Sequence, residues 1–174
     1  MKILIELPTW FGDCVMATPA IENIVNFYND VEITFIGSFV SIEALKNHPK
    51  AIKTSVLDKK YTSLYKISRD LGNFDVFLSF RSSTRSKFLK FLISAKKKYQ
   101  FDKNKYQNRH QVEKYNDFVN DSLNTNFPAG KLTLSTINHQ PPTNKTVGLN
   151  PGASYGSAKR WYPQEFAKVA SELS

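Results

Sequence analysis

The sequence predicts an α/β fold: a Rossmann-like, doubly wound parallel sheet over residues 1–124, then a linker and the opening strand and helix of a second unit. Three observations predict it. Apolar residues recur with a period near two in short runs and near 3.6 in the longer segments between them, so strands and helices alternate. Successive strands are too far apart in sequence for hairpins, and a strand–crossover–strand unit makes parallel neighbours with helices on both faces. The 174 residues are 41% hydrophobic, with 13 Phe and 8 Tyr, enough for a real core and incompatible with disordered or low-complexity classes.

Taken in order, strands are expected at 2–7, 31–36, 52–57, 74–80 and 98–101, with helices at 13–28, 41–46, 61–71, 83–93 and 110–123. Residues 125–145, with Pro128, Gly130, Pro141 and Pro142, read as a linker around a short strand at 131–134. A strand restarts at 146–150, and a helix follows at 163–173 with Pro163 in its first turn. One strand and one helix cannot cover both faces of a sheet, so 146–174 is expected to be the start of a second domain, incomplete as it stands. Ligands of doubly wound sheets bind at the carboxyl ends of the strands, which directs attention to the loops after Leu7, Ile36 and Phe80.

Apolar runs are interrupted within about ten residues, too short for a transmembrane helix, and the N-terminus lacks a cleavage site of the secretory kind, so a cytoplasmic protein is expected. A single cysteine, Cys14, and the scattered His48, His110 and His139 make neither a disulfide nor a zinc site. The net charge of +9 is concentrated: residues 81–105 carry nine Lys or Arg against Asp102 alone. Such a stretch, which includes Arg81, Arg85 and Lys87, is either a solvated face or the seat of an anionic partner.

Two loops carry candidate chemistry. In Pro8-Thr9-Trp10-Phe11-Gly12-Asp13, Gly12 permits close backbone approach at a helix N-terminus. Asp13 has two readings: an acid matched to the helix dipole, or a carboxylate displayed in the crevice to accept a proton from a hydroxyl. The second loop, 150–161, combines two glycines and hydroxyls with Lys159 and Arg160 ahead of a helix, as a phosphate-binding loop does, but matches neither the P-loop nor the dinucleotide-binding pattern.

The blocks LPTWFGDCVMATPAIENI and NPGASYGSAKRWYPQEFAKVASEL, with Arg109-His110-Gln111-Val112-Glu113-Lys114-Tyr115 between them, resemble the ADP-heptose:lipopolysaccharide heptosyltransferases of glycosyltransferase family 9, and most of all the heptosyltransferase II branch. The resemblance implies the N-terminal, acceptor-side domain of a two-domain GT-B enzyme and the first βα unit of its donor domain. It implies Asp13 as general base, Gly12, Ser154 and Lys159 on the donor side, and Arg81, Arg85 and Lys87 on the acceptor side. The reaction implied is inverting transfer of heptose from ADP-heptose to a lipid-anchored lipopolysaccharide inner core at the cytoplasmic face of the inner membrane. No cofactor is expected, and without an Asp-x-Asp motif no obligatory metal. The rival reading is a nucleic-acid-binding module that uses the same basic stretch, with Tyr99, Phe101 and Tyr106 as stacking groups.

Overall fold

The computed structural model describes residues 1–58, 60–135, 146–153 and 157–173. The chain divides into two compact units, Met1–Ile137 and Asn138–Ser174.

The first unit runs β1 (Lys2–Glu6), α1 (Phe11–Tyr28), β2 (Glu32–Gly37), α2 (Phe39–Leu45), β3 (Ala51–Val56), α3 (Tyr61–Leu71), β4 (Asn73–Ser79), α4 (Thr84–Leu92), β5 (Ser94–Gln100) and α5 (Gln111–Leu123). Its five strands are all parallel, in the order β3-β2-β1-β4-β5, so the chain reverses direction across the sheet between β1 and β4. This is the doubly wound topology, and it places the switch point at the carboxyl ends of β1 and β4. Alternate residues of β1 serve opposite faces. Ile3 and Ile5 join Phe35, Leu78 and Phe80 under α1, α2 and α5, whereas Leu4 joins Ile36, Phe77, Leu64 and Leu89 under α3 and α4.

Local chemistry explains the helix ends. Ser38 and Ser83 cap α2 and α4, their hydroxyls accepting from the Ser41 and Ser86 N–H groups. His110 and Glu113 form a capping box at α5, and Gly72, at φ +78°, ends α3 where an L side chain would be strained. Pro19 lies inside α1 and has no N–H for the Val15 carbonyl; the Thr18 hydroxyl donates to that carbonyl instead, at 2.8 Å.

Three expectations need correction. β5 begins at Ser94, four residues before the expected start, because its three lysines suit an exposed edge strand and pairing with β4 overrides their low apolarity. Residues 131–134 form no strand; the Thr133 N–H donates to Thr18 Oγ1 at 3.0 Å instead of to a ladder. Nor do 146–150 form one. Residues 125–128, within the first unit, are fastened to α1 and α5: Asn116 and Asn120 donate to the Phe127 carbonyl at 2.7 and 2.9 Å, and Asn23 donates to that of Pro128 at 3.1 Å.

In the second unit a single 3-10 turn, Ser157–Lys159, precedes α6 (Pro163–Leu173). Arg160 closes the preceding loop by donating from both Nε and Nη2 to the Ala153 carbonyl, at 2.9 and 2.6 Å. Trp161 packs edge-on to Phe166, ring centroids 5.3 Å apart.

Candidate active site

A cleft of about 300 Å³ opens at the switch point, between the loops that follow β1 and β4 and the first turn of α5. Pro8, Thr9, Trp10 and Asp13 form one wall, Arg81, Ser82 and Ser83 the opposite one, and Gln111 and Tyr115 a third. The first wall is held from β2 and α2. Ser38 Oγ donates to the Thr9 carbonyl at 2.7 Å and Ser41 Oγ to the Pro8 carbonyl, while Gly37 lets the end of β2 approach closely, since a Cβ there would sit 3.2 Å from those of Leu7 and Ser41. The loops after Leu7, Ile36 and Phe80 thus all contribute, the middle one as a support.

Asp13 lies in the first turn of α1 and is half-buried. Its carboxylate has no hydrogen bond or ion pair among the described residues, so its oxygens are available to a ligand. Gly12 beside it is exposed, and a Cβ there would meet nothing within 4 Å, so the space over its backbone is open. Cys14, by contrast, is wholly buried, and burial pushes its thiol up from 9.0 to about 11.

The three expected acceptor-side cations separate. Arg81 lines the cleft with Asp13. Lys87 lines an adjoining depression of about 340 Å³ with Lys90, Lys103 and Gln100, which shares Ser82 and Phe101 with the cleft. Arg85 turns toward the loop between β3 and α3, where Nη2 donates to the Asp58 carbonyl. Desolvation and the like charge of Arg81 lower the pKa of Arg85. In the second unit Lys159 is exposed and has no partner among the described residues. Ser154 lies outside the described residues.

Sequence reasoning missed Glu6, Gln111 and Tyr115. Glu6 ends β1, is wholly buried, and accepts from Ser79 Oγ at 2.6 Å and Ser86 Oγ at 2.8 Å, with Arg81 Nη1 3.6 Å away. Loss of hydration raises its pKa above 4.5; the two hydroxyls and the guanidinium oppose that shift. The available signal was an acid closing an otherwise apolar strand. Tyr115 is buried, and desolvation, with Asp13 nearby, raises its hydroxyl pKa. Of the stacking groups of the nucleic-acid reading, Phe101 and Tyr106 are buried against each other, ring centroids 5.7 Å apart.

No family model matches the chain. Over its whole length it is 42% identical to lipooligosaccharide heptosyltransferase 2 of Campylobacter jejuni serotype O:2. Over the length they share, the chain is similar to lipooligosaccharide heptosyltransferases. It spans 57% of that relative's length. Two solved structures superpose on it. A glycosyltransferase family 9 structure from Veillonella parvula has a TM-score of 0.82 at 18% identity, covering 99% of this chain and 59% of its own. E. coli ADP-heptose LPS heptosyltransferase II has a TM-score of 0.73, also at 18% identity, with 99% and 61% covered. Both likenesses establish the GT-B-type α/β fold.

Proposed function

We propose that the full-length protein transfers heptose from ADP-L-glycero-D-manno-heptose to the heptosylated inner core of lipopolysaccharide, with inversion. The observation that carries the reading is the unpartnered carboxylate of Asp13 facing Arg81 across a cleft at the topological switch point. An acceptor hydroxyl attacks the anomeric carbon as its bond to the diphosphate oxygen breaks, and that oxygen keeps the electron pair as ADP departs. The transition state is oxocarbenium-like. The hydroxyl proton passes to Asp13, a general-base contribution of about 10²- to 10⁴-fold.

On the acceptor side, Arg81 and the neighbouring Lys87, Lys90 and Lys103 suit a substrate that carries phosphates and carboxylates. The same basic surface suits a location at the anionic cytoplasmic face of the inner membrane, reached peripherally; no described helix is long and apolar enough to cross a membrane. On the donor side, open space over Gly12 admits the sugar, and Lys159, with Ser154, meets the diphosphate. In this reading residues 146–174 open the donor domain, and Arg160 holds their loop in shape by its paired bonds to Ala153.

The test is to incubate the full-length protein with ADP-heptose and core acceptors of defined length. A heptose gained by the heptosylated acceptor is expected, and no gain by any acceptor rejects the reading. Lys159→Ala should weaken ADP binding by about 1.5 to 3 kcal/mol in calorimetry, the worth of a charge-assisted contact. Unchanged affinity removes Lys159 from the donor site.

A further inference from the structure

We infer that Glu6 is a positioning residue that holds Arg81 in place on the wall of the cleft, an inference that rests on the proposed acceptor role of Arg81. Glu6 is the last residue of β1 and wholly buried, at the point where β1, β4 and α4 meet. Its two oxygens are divided. Oε2 takes the Ser79 hydroxyl; Oε1 takes the Ser86 hydroxyl and lies 3.6 Å from Arg81 Nη1.

The same group of bonds fixes the backbone of Arg81. Its N–H donates to Ser79 Oγ at 3.3 Å, and its carbonyl accepts from Gln100 Nε2 at 3.0 Å. The Phe80 N–H donates to the Glu6 carbonyl at 2.9 Å. With the Ser86 hydroxyl committed to Glu6, its oxygen accepts from Ser83, the cap of α4, at 3.0 Å. Residues 79–83 are therefore tied to Glu6 by backbone, hydroxyl and guanidinium together.

Stability alone does not account for a carboxylate here. Burying an ion costs more than burying an apolar side chain of similar size, and a buried ion pair is weak evidence for stabilisation. What a carboxylate adds is direction: it holds one side of a guanidinium that has little exposure, 19%, and lines the cleft opposite Asp13. The uncommitted donors of Arg81 are then fixed in place before an anion arrives.

The experiment pairs Glu6→Gln with Arg81→Ala. Glutamine is isosteric and leaves an oxygen for a serine hydroxyl; Glu6→Asp replaces it if the first variant fails to fold. Hydrogen exchange on the chain without ligand is measured first. Glu6→Gln should speed exchange at residues 80–83 by about fivefold or more, leaving the amides of β2 and β5 unchanged. Unaltered exchange in the loop, or an equal rise across the sheet, overturns the inference.

Binding of delipidated, heptosylated core oligosaccharide is then measured in the full-length protein. Glu6→Gln should weaken it about fivefold when Arg81 is present and less than about twofold in the Arg81→Ala background. Equal losses in both backgrounds also overturn the inference. If the unsubstituted protein binds no oligosaccharide, the acceptor reading fails, and the exchange result still decides whether Glu6 holds Arg81.

Discussion

The two ends of the sheet each carry a hollow, and their difference shows what makes a hollow a site. At the amino ends of the strands a groove of about 470 Å³ is lined by Met1, Phe27, Tyr28, Val76, Tyr99 and Leu123. It is larger than the cleft at the carboxyl ends and more apolar, and its one carboxylate is spent locally. Asp75 accepts from Lys96 Nζ at 2.7 Å and from the Lys2 N–H at 3.0 Å, and those bonds hold its pKa below the ordinary range. The helices α1 and α5 end there, whereas α1, α4 and α5 all begin at the cleft. Helix N-termini present free N–H groups and favour anions. An unspent carboxylate and converging helix starts single out the smaller hollow in the proposed reading.

The largest effect expected from this contrast is that of Asp13→Asn. Transfer by the full-length protein should fall by about 100-fold or more, the least a general base contributes, with folding nearly unchanged. If Asp13 served the helix dipole alone, the substitution would cost about 0.3 to 1 kcal/mol of stability and leave the rate intact. Retention of more than about a tenth of the rate breaks the comparison in favour of that second reading.

The groove should behave in the opposite way. Leu123 packs into the core beneath it and is 9% exposed. Leu123→Ala should cost about 2 kcal/mol in denaturant unfolding, the low end for a core leucine because open space adjoins it. Transfer rate and ADP affinity should not change. A Leu123 variant that folds but loses transfer would mean that the groove takes part.

A smaller effect belongs to Glu6. Its pKa is raised in the folded protein, so the folded state holds the proton to higher pH than the unfolded state does. The stability this group contributes is therefore greatest below its ordinary value of 4.5 and declines as pH rises from there to the raised value. Denaturant titrations across that range should show the decline, and Glu6→Gln should flatten it. An identical pH profile for both proteins would mean that Glu6 is not the group responsible.

Most of the fold is legible because periodicity reports burial directly. α3 and α6 begin and end where their apolar spacing predicts, and β1 to β4 fall within a residue or so. β5 is half hidden, since an edge strand of lysines looks like a polar loop until its neighbour is known. Residues 131–134 and 146–150 mislead for the converse reason: strand-like composition does not by itself make a strand. The cleft is legible where motif and topology coincide, at Asp13 and Arg81. Glu6 is not, because only the packing shows that both its oxygens are enclosed by residues more than seventy positions away.

The smallest functional effect is expected at the residue next to Asp13. Cys14 is a nucleophile by type and stands one position from the proposed base. Its thiol is wholly buried, donates to the Pro8 carbonyl at 3.3 Å, and ionises only near pH 11. At pH 8 its thiolate fraction is far below that of a free cysteine. Alkylation by iodoacetamide should thus be slower by about 100-fold or more than in denaturant, since both ionisation and access oppose it. Cys14→Ala removes a small buried side chain but no ligand-facing group, so transfer should stay within about twofold of the parent. Rapid alkylation that abolishes transfer would place the thiol in the cleft and extend the site one residue beyond Asp13.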